Sequence, residues 1–170
     1  MTRTLKSPPA SSSRARAVMR GNRRRDTSLE RRVRSRLHAT GLRYRVDYRV
    51  DCEGSRVHVD IAFTRRRIAV FVDGCFWHGC DRHPRSPKTN LDYWIPKIDR
   101  NRARDATNTI ALRQAGWTVI RGWEHEPVDQ IADRVICAVV NQSSMRLDAV
   151  AAGVAMRVRS ALEPLRQATA

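Results

Sequence analysis

Residues 68 to 83 concentrate the chemistry of this chain, reading Ile68-Ala-Val-Phe-Val-Asp-Gly-Cys-Phe-Trp-His-Gly-Cys-Asp-Arg-His83. An apolar run that predicts a buried strand stops at Asp73-Gly74, and Cys75, Cys80 and His83 follow closely. Thiolate and imidazole are the donors zinc prefers, and a later His125, at another predicted strand end, completes four ligands for a closed tetrahedral site. The spacing is not that of a standard zinc finger, so the alternative is that Cys75 and Cys80 are small buried residues. His78, between the cysteines, carries an imidazole that titrates near neutral pH and is a candidate general base. Phe76 and Trp77 are adjacent large aromatics in the same loop and are candidate stacking side chains. Loops carried by rigid strands are where such groups are put to use.

Asp60 is the second anomaly. It interrupts an apolar strand pattern over Val57–Phe63, where a carboxylate is costly unless paired or bound to metal. Asp60 and Asp73 at neighbouring strand ends could hold Mg²⁺ through oxygen ligands, with His78 deprotonating the attacking water. The alternatives are an exposed Asp60 on a solvent face and an Asp73 that only accepts the hydrogen bond of an Asp-Gly turn.

The elements that position these groups follow from periodicity. Leu29, Val33 and Leu37 share a helix face that starts near Ser28 and stops at Gly41, with Asp26 or Thr27 as cap. Thr27-x-x-Glu30 is a capping-box pattern. Tyr44, Val46, Tyr48 and Val50 alternate with polar residues as a half-buried strand. With Val57–Phe63 and Ile68–Val72 this predicts an antiparallel meander. Pro96 is expected in the first turn of a helix reaching about Ala115, closed by Gly116. The strand Trp117–Trp123 comes after that helix and so is expected parallel to its neighbour. An apolar helix follows over Val128–Val140, with Trp117 and Trp123 expected in the core and Cys52 and Cys137 as packing residues.

Composition bounds the partners. Thirty-three Lys and Arg against 17 Asp and Glu leave +16 over 170 residues, with a pI near 11.3. Such an excess points to polyanions, nucleic acid before membrane surfaces. No run of ~18 apolar residues spans a bilayer, and without an apolar leader the four cysteines favour metal in a reducing compartment over disulfides. Residues 1–34 hold eleven Lys and Arg against two acids.

These residues, in order, resemble the very short patch repair (Vsr) endonucleases. The resemblance runs over residues 19 to 141 through Met19-Arg-Gly-Asn, Asp26-Thr27-x-x-Glu30, Asp60, Asp73-Gly-Cys-Phe-Trp-His-Gly-Cys80, Pro87-Lys-Thr-Asn-x-x-Tyr-Trp94, Lys97-x-x-x-Asn101-x-x-Arg104-Asp105 and Gly116-Trp-x-Val-x-x-x-Trp-Glu-His125. It implies an α/β, restriction-endonuclease-like core: a central mixed sheet flanked by helices, with a zinc-stabilised loop. It also implies a strand nick 5′ of the T in a T·G mismatch left by deaminated 5-methylcytosine. By position, Asp60 resembles the magnesium-binding aspartate, Val72 the residue lending a backbone carbonyl to that metal, and His78 the catalytic histidine. Glu30 matches a supporting glutamate that acts through metal-bound water, although it could be only the capping acid. Cys75, Cys80, His83 and His125 fall at the zinc positions. Phe76, Trp77 and Trp94 match aromatics that wedge into the base stack, and Lys97 and Asn101 match helix residues close to the mismatch. Asp73 departs from the well-known pattern, which has a phosphate-positioning histidine there, and is open as a second metal carboxylate.

The expected organisation is a disordered basic arm over 1–18, the endonuclease domain over 19–141 and an amphipathic helical tail over 142–170. The expected partner is double-stranded, mismatched DNA, bound by a monomer in the bacterial cytoplasm at the nucleoid, with other repair proteins admitted and no membrane. Two rivals are a Vsr-like nickase directed at foreign or modified DNA in a defence system, and a non-catalytic zinc module that recognises DNA by shape.

Overall fold

The computed structural model describes residues 25–84 and 87–144, with Pro8, Pro9, Ser12, Ser13 and Arg16. The Met19-Arg-Gly-Asn segment, nearly all of the basic arm and the tail beyond Ser144 lie outside the described residues.

Helix α1 spans Ser28–Ala39. Thr27 caps it, accepting the Glu30 N–H, and Val33 and Leu37 are buried. Gly41 follows at φ +79°, a conformation that suits glycine after a helix. Strands β1 (Arg45–Cys52), β2 (Ser55–Phe63) and β3 (Ile68–Asp73) form the antiparallel meander. β4 (Thr118–Trp123) lies parallel to β3, giving one sheet in the order β1-β2-β3-β4. This mixed α/β layering is consistent with a restriction-endonuclease-like fold.

Helix α2, Leu91–Gln114, crosses from β3 to β4. It starts earlier than the sequence suggests, so Pro96 stands inside the helix rather than in its first turn. Asn90 precedes it in the left-handed region, and Tyr93 and Trp94 N–H both donate to the Asn90 carbonyl, so the helix is already wound before the proline arrives. Its other end closes on Gly116 at φ +77°. A third helix, α3, occupies residues 128–144. Among the described residues no helix is long and apolar enough to cross a membrane.

Two apolar clusters cover the two faces of the sheet. One joins Val33 and Leu37 of α1 with Ile61, Phe63, Ile68, Val70 and, from α3, Ile131, Val135 and Val139. The other joins Val50, Val57, Val59, Ala62, Ala69 and Phe71 with Leu112 of α2, the only buried residue of that long helix. Side chains two apart on a strand share a face, yet Val59 and Ile61 belong to opposite clusters. The pleat of β2 therefore changes phase at Asp60. Opposite it on β1, Asp47 has φ +47°, and the Asp47–Asp60 pair is missing from an otherwise continuous register. The β2–β3 ladder runs only from Phe63↔Ile68 to Ile61↔Val70, while β3 continues to Asp73 against β4. The sheet is split at Asp60.

Two packing expectations change. Cys137 is exposed, and Trp123 is half-buried at the open end of β4 outside both clusters. Trp117 does pack against the second cluster, as does Cys52.

Candidate active site and metal centre

The split leaves the Val72 N–H without a strand partner on the β2 side, and Asp60 Oδ2 accepts it at 2.7 Å. Asp60 is thus half-buried within the sheet rather than on a solvent face. Burial pushes its carboxyl up to about 7, the Val72 hydrogen bond opposes this, and the negative charges of Glu30 and Asp73 add to it. An anionic group so disfavoured is one that a divalent cation would stabilise, and hard cations take carboxylate oxygens.

Glu30 is 5% exposed. Its Oε2 accepts from the Asp26 N–H at 3.0 Å, its Oε1 accepts from Thr27 Oγ1 at 2.9 Å, and its own N–H donates to Thr27 at 3.2 Å. The capping box is real, and it also fixes a second carboxylate beside Asp60.

His78 stands across the split. Its Nδ1 is 2.5 Å from Asp105 Oδ2 and 3.5 Å from Asp73 Oδ1. Burial by itself would lower the imidazole pKa, but the Asp105 hydrogen bond and the charges of Asp73 and Asp105 outweigh it, so the net shift is upward. Asp105 moves the other way: burial would raise it, and the His78 and Arg121 interactions hold it below the usual carboxylate range. Asp73, 2% exposed, is gripped by Arg121 through two parallel bonds of 2.6 and 2.7 Å. It is therefore more than the acceptor of a turn. Asp105 and Arg121 were not singled out from the sequence. Asp105 sits in a recognisable string but gives no local hint of which imidazole it meets. Arg121 was detectable as a lone cation in an apolar strand, two residues out of register from Asp73 once β3 and β4 are laid parallel.

On the other side of the loop, Cys75, Cys80 and His125 bring two sulfurs and an imidazole nitrogen within 4.8 Å of one another. His125 Nδ1 is 3.2 Å from Cys75 Sγ and 3.5 Å from Cys80 Sγ. Donors sharing one tetrahedral zinc would lie roughly 3.5–3.8 Å apart, given usual Zn–S and Zn–N lengths. Both cysteines are free and buried, and two thiols beside an imidazole form a donor set that fits zinc. His83 is not in the trio. Its ring stacks on His125 with centroids 4.2 Å apart, presenting a face rather than a nitrogen, so a fourth ligand from His83 requires its ring to turn. The Cys75 N–H donates to Glu124 at 3.1 Å and the Glu124 N–H to the Asp73 carbonyl at 2.8 Å, which ties the loop to the end of β4.

The five residues expected at DNA gather in one place. Phe76, Trp77 and Trp94 pack edge to face with centroids 5.1–5.7 Å apart. Lys97 Nζ lies 5.1–5.9 Å from the ring centres of Tyr93, Trp94 and Trp77. Asn101 donates to the Trp77 carbonyl at 3.0 Å. All are half-exposed and none belongs to either core cluster. Leu91 and Ile95, exposed by 47% and 49%, continue this apolar edge along α2.

The family described as DNA mismatch endonuclease Vsr matches over residues 10–83. The type II nicking enzyme V.NaeI of Lentzea aerocolonigenes is 47% identical over 119 residues, covering 69% of this chain and 72% of that protein. The type II nicking enzyme V.XorIIP of Xanthomonas oryzae pv. oryzae is 46% identical over 118 residues, 68% and 83% of the two chains. The DNA mismatch endonuclease Vsr of Escherichia coli is 34% identical over 107 residues, 62% and 66%.

Two outcomes follow from this geometry. Elemental analysis of purified protein is expected to return about one zinc per chain, and chelation to lower the thermal midpoint, because ligand binding to the folded state alone adds to stability. Less than a tenth of that zinc in normally folded protein removes the site. The second concerns Asp60 in protein stripped of divalent cations. An acid whose folded pKa is about 7, against 3.8 for the unfolded chain, supports the fold fully below pH ~4, and that support is lost as pH rises to ~7. At ~1.4 kcal/mol per pH unit the ceiling is ~4 kcal/mol. Denaturation midpoints should therefore fall less between pH 5 and 8 for Asp60→Asn than for the parent. Equal slopes would mean that Asp60 ionises without penalty.

Proposed function

The chain belongs to the Vsr family of DNA endonucleases, and from that premise we propose that it nicks one strand of duplex DNA 5′ of the T in a T·G mismatch. The observation that carries the reading is one continuous edge holding a cation-seeking carboxylate, an acid-oriented imidazole and a half-exposed aromatic cluster. When bound at Asp60 and the Val72 carbonyl, Mg²⁺ supplies charge neutralisation at the phosphate and activation of water. The remaining work falls to side chains of the chain itself. Asp105 engages Nδ1 of His78, which leaves Nε2 to accept the proton of the attacking water, a role that typically contributes ~10²–10⁴-fold. Glu30 adds negative charge beside Asp60 and is held ready by its cap.

Phe76, Trp77 and Trp94 wedge between base steps next to the mismatch, where the unstacking cost is lowest. Lys97 and Asn101, anchored on those rings and on the Trp77 carbonyl, reach the mismatched pair. Zinc at Cys75, Cys80 and His125, with His83 as fourth ligand, acts structurally, by fixing the loop that carries Phe76, Trp77 and His78. Residues 19–141 form the endonuclease domain. The arm over 1–18 adds phosphate contacts that carry no base information. The protein works as a monomer on DNA, in the cytoplasm at the nucleoid, alone or with other repair proteins.

A second reading is a nickase directed at foreign or modified DNA. It is favoured by the names of the more similar relatives, which are type II nicking enzymes. One experiment separates the readings: end-labelled duplexes with Mg²⁺, carrying a T·G mismatch, a matched T·A pair, or matched cytosine-methylated sequence. Cleavage of the T-containing strand in the mismatched duplex alone is expected. Cutting of matched or methylated duplexes with the T·G substrate intact overturns mismatch repair in favour of the second reading. Protein that binds every duplex and cuts none is the non-catalytic zinc module.

A further inference from the structure

Arg121 is a fixed cation in a strand that otherwise reads Thr-Val-Ile, Gly and Trp. Its register partner is Phe71, and its guanidinium carbon lies 5.0 Å from the centre of that ring. From there the side chain reaches two residues along β3 to Asp73, on the same face of the strand, and its Nε and Nη2 bind both carboxylate oxygens. The same Nη2 lies 3.4 Å from Asp105 Oδ2, the oxygen that engages His78. Thr109 completes the enclosure: its hydroxyl donates to the Asp105 carbonyl at 2.7 Å and stands 3.4 Å from Arg121 Nη1. One guanidinium thus bridges two carboxylates, and both of those carboxylates face the Nδ1 of one imidazole.

Buried ion pairs add little to stability compared with apolar packing, because desolvation offsets their attraction. Such a pair between β3 and the neighbouring β4 calls for another reason. Bidentate geometry supplies it, since a planar fork fixes orientation where a point charge does not. Each Asp73 oxygen already accepts from an arginine that never loses its charge, which sets a cation at a disadvantage there.

We propose that Arg121 is a positioning residue of the nicking reaction. Anchored by Asp73, it holds Asp105, and through it the ring of His78, at the angle that the reaction needs. Asp73 is then the anchor of this clamp and not a second metal ligand, so the carboxylate available to the cation at this end of the sheet is Asp60. The inference rests on the endonuclease reading above and not on its mismatch preference.

The test uses the full chain and whichever duplex the parent nicks, so that a failure of T·G preference sinks the mismatch reading and leaves the clamp to be judged separately. Removing either partner alone would strand a buried charge. The informative variant is therefore the neutral pair Asp73→Asn with Arg121→Gln, accompanied by Arg121→Lys, which keeps the charge and loses the fork. In the neutral pair kcat is expected to fall ~10²-fold, the scale of a 1 Å misplacement of a reacting group. KM, DNA affinity, zinc content and the Mg²⁺ concentration for half-maximal rate should stay at parental values. Arg121→Lys should show an intermediate fall in kcat, again without change in KM. By proton NMR, the His78 Nδ1 resonance should move in both variants. A parental kcat in the neutral pair, or in Arg121→Lys if the pair does not fold, makes the bridge merely structural and overturns the proposal. A lost rate that returns at raised Mg²⁺ assigns Asp73 to the metal and overturns it equally.

Discussion

The hydrogen bond from the Val72 N–H to Asp60 marks the place where β2 and β3 stop pairing as strands and begin pairing through a side chain. A buried amide must find an acceptor, and here the acceptor is a carboxylate whose other oxygen remains for something else. The pleat of β2 reverses at the same residue, with Asp47 opposite in a left-handed conformation that aspartate tolerates better than most. Apolar packing continues on both faces up to this point, so Asp60 is desolvated by the core that surrounds it. The fold thereby produces a carboxyl whose charged form calls for a cation.

The imidazole opposite is held by two independent systems. The loop carrying His78 is drawn to the end of β4 by the Cys75, Cys80 and His125 cluster and by the chain of bonds through Glu124. The ring is then oriented by Asp105 from α2. Loops position reacting groups well only when their supports are rigid. In this chain the rigidity comes from the metal-competent cluster on one side and the arginine bridge on the other. The aromatic face grows from the same loop, with Trp77 next to His78 in sequence. The aromatic cluster and the imidazole therefore share one support.

Much of this was legible from residue order. The four strands, their meander and the parallel return of β4 follow from alternation and from the intervening helix. Two cysteines and a histidine of the metal cluster were visible as donor types at strand ends. Less was legible where tertiary contact overrides local pattern. Nothing local says that Val59 and Ile61 face opposite ways, because the reversal depends on both strands bending at Asp47 and Asp60. Pro96 looks like a helix start, yet the Asn90 carbonyl gathers the first turn before it. His83 has the right chemistry, but no local pattern shows that its ring stacks on His125. The bidentate hold of Arg121 on Asp73 requires the register of β3 against β4, which no periodicity supplies.

The central claim is that Asp60 carries the cation-dependent chemistry and His78 the proton. Its most direct measurement is the single-turnover nicking rate of Asp60→Asn, taken alongside DNA affinity and zinc content in the same preparation. The amide keeps the shape and can still accept the Val72 N–H, so fold and zinc should persist, and affinity should hold or tighten as a negative charge leaves the phosphate path. Nicking should fall by orders of magnitude. An Asp60→Asn protein that nicks at the parental rate would contradict the account at its root.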